Sequence, residues 1–186
     1  PQALSTMLDP ADCGPAFIGL PQDITAEAYD YPVAFFETKI HEIARPRPDT
    51  NQLAEAAKLI RSAKKPVIIA GGGVHYSRAE QVLADFAEKF GIPVVETVAG
   101  KSSLVASHPL YSGPLGVTGA AAANEVVSNA DVVLAVGTRL EDFTTGSWTL
   151  FDAETKFVGI NAARFDAIKH QSLPLVGDAK ESLTEL

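Results

Sequence analysis

The 186 residues include one cysteine, one methionine and one tryptophan, and these scarcities set the first limits. Cys13 alone leaves no partner for an internal disulfide and no basis for a multi-cysteine zinc site. Basic residues are also few, 15 Lys and Arg against 23 Asp and Glu, for a formal net charge of −8. Nucleic acids and anionic membranes both select for basic surface, so neither is an expected partner. No apolar run approaches the roughly 20 residues that a membrane-spanning helix needs. Pro1-Gln2-Ala3 has neither a basic leader nor an apolar h-region behind it, so a secretory signal is not read there and a cytoplasmic location is expected. The chain starts without Met and passes at once into Leu4, Met7 and Leu8, the apolar face of a short helix. That start reads as a piece cut from something longer.

The chemical motifs are sparse too. There is no Gly-x-Ser-x-Gly nucleophile elbow, no P-loop lysine and no zinc-type spacing. His41, His75, His108 and His170 form no i, i+4 pair, so no metal ligands and no catalytic residues are assigned.

What is present is an ordinary globular composition, 46% hydrophobic and 20% charged, in a chain long enough to bury a sizeable core. Residues 14–20, GPAFIGL, read as a buried strand ended by Pro21-Gln22-Asp23. From Asp30 to Pro48 the text is polar and proline-punctuated, as linkers are, which puts a boundary near residue 45. The rhythm then becomes regular. Asp49 or Thr50 can cap a helix with Leu53, Ala56, Ala57 and Ile60 inward, and PVIIAG from Pro66 is a strand. Ser77 and Glu80 have capping-box spacing ahead of a helix with Leu83, Phe86, Ala87 and Phe90 inward, stopped by Gly91. Ile92–Val95 is the next strand, residues 100–118 are loop-rich, and Gly119 opens a small-residue helix to Ala130. Val132–Val136, Lys156–Ile160 and Leu173–Val176 complete the strands, and Asp178 with Glu181 suggests a capped final helix. Apolar strands alternating with helices predict an α/β fold, a doubly wound parallel sheet with helices on both faces.

Open α/β sheets take ligands outside the carboxyl ends of their strands, which directs attention to three loops. Gly71-Gly72-Gly73 follows a strand directly. Counted from Gly71, however, the sixth position is Tyr76, so the Gly-x-Gly-x-x-Gly dinucleotide fingerprint fails, and a phosphate cradle and a plain tight turn both remain open. Gly116-Val117-Thr118-Gly119 precedes an alanine-rich helix, which suits either an anion at the helix start or close packing. Gly137-Thr138-Arg139 offers a hydroxyl and a guanidinium for phosphate or carboxylate; alternatively, Arg139 pairs with Glu141 or Asp142 and locks the loop. His75, beside Tyr76, has no carboxylate partner evident in the sequence and reads as a surface or interface histidine.

GPAFIGLPQD, a proline-rich linker, KPVIIAGGG and ADVVLAVGTRLED stand in the order found in thiamine-diphosphate-dependent enzymes, and the chain resembles the junction and central domain of that family along its whole length. Within it, GGGVHYSRA, ETVAGKSSL, DFTTGSW and FDAIKH look most like the hydrolases of inositol catabolism that open a trihydroxycyclohexanedione ring, and more loosely like acetolactate synthases. The resemblance implies that residues 1–45 are the end of an aminopyrimidine-binding domain plus linker, and that 46–186 are a non-catalytic central domain. It further implies that thiamine diphosphate and Mg²⁺ are held elsewhere in a parent enzyme. That parent is expected to act on a small molecule as a homo-oligomer, with this piece inactive alone. In acetolactate synthase-like relatives the central domain holds FAD. The matching positions here are Gly71, Gly72, Gly73, Gly116, Gly119, Gly137, Thr138, Arg139 and Asn161. The acidic ending usual at the last of these is replaced by Asn161-Ala162-Ala163, so a vestigial nucleotide site without FAD is expected.

Overall fold

A computed structural model describes residues 2–186, and the chain divides into two units, one through Ala44 and one from Arg45 to Leu186. The first carries helices α1 (Gln2–Leu8) and α2 (Gln22–Thr25) and a 3₁₀ turn, Val33–Phe35. No residue of 2–44 is buried. Around the turn the rings of Tyr29, Tyr31, Phe35 and Phe36 cluster, edge to face for Tyr29–Tyr31 at 5.0 Å between centroids and for Phe35–Phe36 at 5.2 Å. Residues 14–20 form no strand, contrary to the reading of GPAFIGL, and Phe17 is 96% exposed. An apolar run becomes a strand only where a neighbour accepts its backbone hydrogen bonds, and the described residues of this unit contain no other strand.

The second unit follows the order α3 (Thr50–Ser62), β1 (Pro66–Ala70), α4 (Gly73–Ser77), α5 (Glu80–Phe90), β2 (Val94–Glu96), β3 (Tyr111–Pro114), α6 (Ala121–Ser128) and β4 (Val132–Val136). It continues through α7 (Asp142–Thr145), β5 (Lys156–Asn161), α8 (Arg164–Ala167), β6 (Leu173–Val176) and α9 (Ala179–Glu185). The six strands form one parallel sheet in the order β3-β2-β1-β4-β5-β6, with Ile68 opposite Leu134 and Leu134 opposite Val158. The α/β, doubly wound reading is thus what the chain adopts. All five residues of β4 are buried, as a strand covered on both faces requires.

Alternation along each strand divides the core in two. Ile68, Leu134, Val158, Ile160 and Leu175 face one layer with Leu53, Leu83, Phe86 and Leu183 of α3, α5 and α9. Val67, Ile69, Val133, Ala135 and Phe157 face the other, with Ala123 and Val127 of α6. Asp131 fixes the entry to β4: its carboxylate accepts from the amides of Lys64 at 2.7 Å and Lys65 at 2.9 Å. These backbone donors, Lys64 first, hold its carboxyl below the usual carboxylate range against the opposing effect of burial.

Four local expectations change. Residues 100–118 contain β3, an edge strand that a Gly- and Pro-rich text conceals. The helix read from Gly119 begins at Ala121 and ends at Ser128, with Ala120 as its first flanking residue. Ser77 does not cap α5; it ends α4, Arg78 turns the chain left-handed at φ 52°, and Ala79 precedes α5 with no side-chain cap. The Ser77 hydroxyl instead accepts from the Ala179 amide at 3.2 Å. Finally, Arg45–Pro48 is not loose linker. Arg45 reaches Asp178 at 2.7 Å, Arg47 reaches Glu181 and Glu185 at 3.1 and 2.9 Å, Pro46 O accepts from the Asp178 amide at 2.7 Å, and Pro48 is buried. Gly177 makes this approach possible, since a Cβ there would lie 3.0 Å from Pro46 O and from the Pro48 ring. Asp178 does cap α9 as expected, accepting from the amides of Lys180 and Glu181 at 3.0 and 3.3 Å.

Candidate functional site

The strand order reverses between β1 and β4, so the loops that leave their carboxyl ends flank the crevice where open sheets bind ligands. Gly71–Gly73 leaves β1 and Gly137–Arg139 leaves β4, and the structure does bring these two loops together. They meet backbone to backbone. The Gly71 amide donates to Val136 O at 2.8 Å and the Gly73 amide to Gly137 O at 2.9 Å. A Cβ on Gly73 would fall 2.5 Å from Gly137 Cα, and one on Gly71 would fall 2.6 Å from Thr138 Cβ. The bare backbone at Gly71 and Gly73 is therefore accounted for by loop-on-loop packing. Gly72 sits against Ala99, where an added Cβ would meet its methyl at 3.3 Å.

The third loop is similarly engaged. Gly116, at φ 107°, has its amide bonded to Asn124 Oδ1 at 2.9 Å, and its carbonyl accepts from Asn124 Nδ2 at 3.0 Å. The Val117 amide donates to Phe143 O at 2.9 Å, and a Cβ on Gly119 would lie 2.5 Å from Pro114 O. Asn124, on α6, escaped the sequence reading because nothing in an alanine-rich helix marks one amide as a clamp for a loop eight residues earlier.

Thr138 is 9% exposed; its hydroxyl accepts from the Leu140 amide at 3.2 Å and its carbonyl from Asn161 Nδ2 at 3.1 Å. Asn161 Oδ1 accepts from the Ala163 amide at 2.9 Å, so both ends of that side chain are occupied within the loop. Arg139 lies 3.7 Å from Glu141, but both side chains are mostly exposed, and an ion pair of that kind does not lock a loop. The loop is held instead by Thr138, Asn161 and Lys169, whose ammonium donates to Arg139 O at 3.1 Å.

Two groups missed in the sequence sit beside this edge. His75 has a carboxylate partner after all. Nδ1 lies 2.8 Å from Glu80 Oε1 and Nε2 lies 3.0 Å from Lys101 O, so the ring ties α4 to α5 and to the 97–104 loop. The i, i+5 spacing looks wrong for a helix pair and works only because the chain turns at Arg78. The Glu80 hydrogen bond, opposed by burial and aided by the Lys101 carbonyl, raises the imidazole above its ordinary value. Burial works against the charge on Glu80, yet its own amide and His75 outweigh that and hold its carboxyl below the usual carboxylate range. Glu96, at the end of β2, is 2% exposed, and its Oε1 accepts from the Leu104 amide at 2.9 Å. Burial first, then the nearby Glu96 carboxylate, pushes the Tyr111 phenol up. Ser103, in the same turn, keeps a buried hydroxyl without a hydrogen-bond partner.

Among the described residues no group of three or more His, Cys, Asp or Glu converges as metal ligands do. His108 pairs with Glu88 of α5 at 3.0 Å. Two cavities, of about 530 and 390 Å³, open elsewhere, and neither is lined by any residue of the three glycine loops. The carboxyl edge is thus a set of mutually packed backbones with a hydroxyl, an exposed guanidinium and a histidine clip, without a nucleophile placed against a base.

Comparisons with known proteins agree on one family. A family model described as the central domain of thiamine pyrophosphate enzymes matches residues 53–186. The chain is 47% identical over 185 residues to a 3D-(3,5/4)-trihydroxycyclohexane-1,2-dione hydrolase of Clostridium perfringens, covering 99% of this chain and 29% of that protein. It is equally similar, 47% over 185 and 186 residues, to proteins of the same name from Listeria monocytogenes and Bacillus anthracis, covering 100% of this chain and 29% of each. The chain therefore spans 29% of the length of the curated relatives it matches. A solved structure from Mycobacterium smegmatis, assigned as a thiamin diphosphate-dependent enzyme, superposes with a TM-score of 0.65 at 30% identity, over 78% of this chain and 29% of that one.

Proposed function

The chain belongs to the thiamine pyrophosphate enzyme central-domain family, and from that premise we propose that it is the central portion of a hydrolase that opens the ring of trihydroxycyclohexane-1,2-dione. The observation that carries this reading is the 47% identity over 185 residues, 99% of the chain. In this reading residues 1–45 are the end of an aminopyrimidine-binding domain with its linker, and 46–186 are a central domain without catalytic residues. The whole protein is then a cytoplasmic homo-oligomer working on a small molecule in inositol catabolism. Among the described residues no helix is long and apolar enough to cross a membrane.

Thiamine diphosphate supplies, when bound, a carbanion and an electron sink for cleaving a bond beside a carbonyl. The donor set here does not fit its Mg²⁺–diphosphate group, because no cluster of acidic or other ligating side chains converges among the described residues, and no step is derived through it. The FAD or ADP reading of the glycine loops finds equally little support. The amides of Gly71, Gly73 and Gly116 are bonded within the protein, and added Cβ atoms on Gly71, Gly73 and Gly119 would collide with its backbone. The proposed role of residues 46–186 is structural: a rigid six-stranded body whose edge loops are fixed to one another.

The test is to express the full-length parent with thiamine diphosphate and Mg²⁺ and compare hydrolysis of the cyclic diketone with condensation of pyruvate. Ring opening is expected to dominate, and pyruvate condensation alone would move the assignment to an acetolactate synthase. Purified protein is expected to lack flavin absorbance, and a thermal shift with FAD or ADP would return the glycine loops to a nucleotide site.

A further inference from the structure

Residues 97–110 join β2 to β3, and a histidine holds each half of this connection. The first half lies on the end of β1. The Thr97 amide donates to Ala70 O at 2.9 Å, Gly100 sits too close to Ala70 O to carry a Cβ, and Ala99 covers Gly72. Leu104 is a fixed point in the middle, 4% exposed, with its amide on Glu96 Oε1 at 2.9 Å. The second half leads into β3, the edge strand.

The two histidines make opposite demands. His75 Nδ1 faces Glu80 Oε1 at 2.8 Å and Nε2 faces Lys101 O at 3.0 Å, and both partners are acceptors. The clip on the first half is therefore complete when both ring nitrogens carry hydrogen, as in the imidazolium. At His108 the Leu110 amide donates to Nδ1 at 3.2 Å, so that nitrogen is bare, and Nε2–H donates to Glu88 at 3.0 Å. A second proton would set Nδ1–H against the Leu110 N–H, so the clip on the second half is complete only in the neutral ring. The His108 side chain is 9% exposed, which leaves water little room to replace the lost partner. The charged groups around the rings lie on other elements. Glu80 of α5 and, farther off, Glu96 of β2 face His75, with Arg78 beside Glu80. Glu88 of α5 faces His108, and Tyr111 of β3, beside Glu96, donates its amide to His108 O at 3.0 Å.

We propose that the 97–110 connection is a pH-sensitive strap, with both halves held only over a window of pH. Alkali removes the proton that ties residues 97–103 to His75 and uncovers the end of β1 at the crevice. Acid adds the proton that parts Leu110 from His108 and loosens the free edge at β3. The alkaline limit has a definite sign. The Glu80 hydrogen bond, against burial, raises the His75 imidazole, so its contribution is full below the unfolded value and is lost as pH rises through the folded one. Because Leu104 stays anchored, the halves open separately, by local rather than global unfolding.

Amide hydrogen exchange of the 186-residue chain, followed by NMR from about pH 5 to 9 and corrected for intrinsic rates, reads each half directly. The Gly100 and Ser103 amides, bonded to Thr97 O and Gly100 O at 3.0 Å, are expected to lose protection by about tenfold as pH rises. The Leu110 amide is expected to lose a similar factor as pH falls, while Val133 and Ala135 in β4 keep theirs throughout. His75→Gln, whose amide nitrogen can still donate to Lys101 O, removes only the alkaline response. His108→Asn, whose oxygen can still accept from Leu110, removes only the acid one. The proposal is overturned by an unchanged protection in either half, by both halves loosening in the same direction of pH, or by a matching change in β4. A response that survives in its own variant overturns it as well.

Discussion

His75 and Glu80 share a proton in a position where both imidazole nitrogens face acceptors: Glu80 Oε1 at 2.8 Å from Nδ1 and Lys101 O at 3.0 Å from Nε2. A carbonyl only accepts, so Nε2 carries hydrogen. A carboxylate only accepts, so the Nδ1 bond needs a second proton. The raised His75 value follows, and its linkage to stability has a definite sign. A group whose folded value is raised contributes fully below its unfolded value, about 6.5, and loses that contribution as pH rises through the folded one. Proton NMR of the His75 ring is expected to show a midpoint above 6.5, returning towards it in Glu80→Gln. Amide exchange in residues 97–104 should quicken above that midpoint. A midpoint at or below 6.5 would remove the clip.

Gly73→Ala separates the two uses of the β1 loop. If the glycine serves packing, the new methyl, 2.5 Å from Gly137 Cα, forces two loops apart and destabilises the fold by about 1–3 kcal/mol, the usual cost of overpacking. Urea unfolding should show the lower midpoint with an unchanged slope. A variant of wild-type stability would mean that the glycine is kept for a ligand instead.

The sheet was legible in the text because five strands are largely apolar runs that alternate with helical segments, and a run such as Val132–Val136, buried throughout, suits a parallel sheet covered on both faces. The β3 strand was not, since Tyr111-Ser112-Gly113-Pro114 has no apolar run and is held as an edge by Val94, Val95 and Glu96. GPAFIGL failed in the opposite direction, with the composition of a strand and no sheet to join. The glycine loops were legible as places of close backbone approach, with ligand and packing readings both open. Sequence shows that a Cβ is missing, while only the fold shows that Gly137 rather than a phosphate lies where it would have been. The clamp of Asn124 on Gly116, eight residues away, and the distant contact of Ser77 with Ala179 leave no local signature at all.

Asp178 concentrates several of these distant contacts. It is 5% exposed, caps α9 through two amides and receives Arg45 at 2.7 Å. Asp178→Ala should cost about 2 kcal/mol, the upper range for a lost cap, because a buried acceptor for the Arg45 guanidinium goes with it. Arg45→Ala should cost less, since that side chain is 31% exposed and water replaces part of its role. The double variant, measured by the same urea unfolding, is expected to cost less than the two single losses combined. Strict additivity would mean that the pair does not couple the Arg45–Pro48 strap to the helix.

Arg139 provides the decisive contrast at the crevice. Its side chain is 69% exposed and its partner Glu141, at 3.7 Å, is 64% exposed, so the pair works in nearly bulk dielectric. The Gly137–Arg139 loop is already fixed from below by the Asn161 amide on Thr138 O and by the Lys169 ammonium on Arg139 O, neither of which uses the guanidinium. Arg139→Ala should therefore change stability by about 0.5 kcal/mol or less. Asn161→Ala should cost about 1 kcal/mol or more, because it frees Thr138 O and the Ala163 amide together. If Arg139→Ala leaves stability intact but removes a measurable affinity for ADP, the guanidinium is a ligand contact and the crevice is a working nucleotide site. If neither property moves, Arg139 is a solvated surface charge and the loop's order belongs to Asn161 and Lys169.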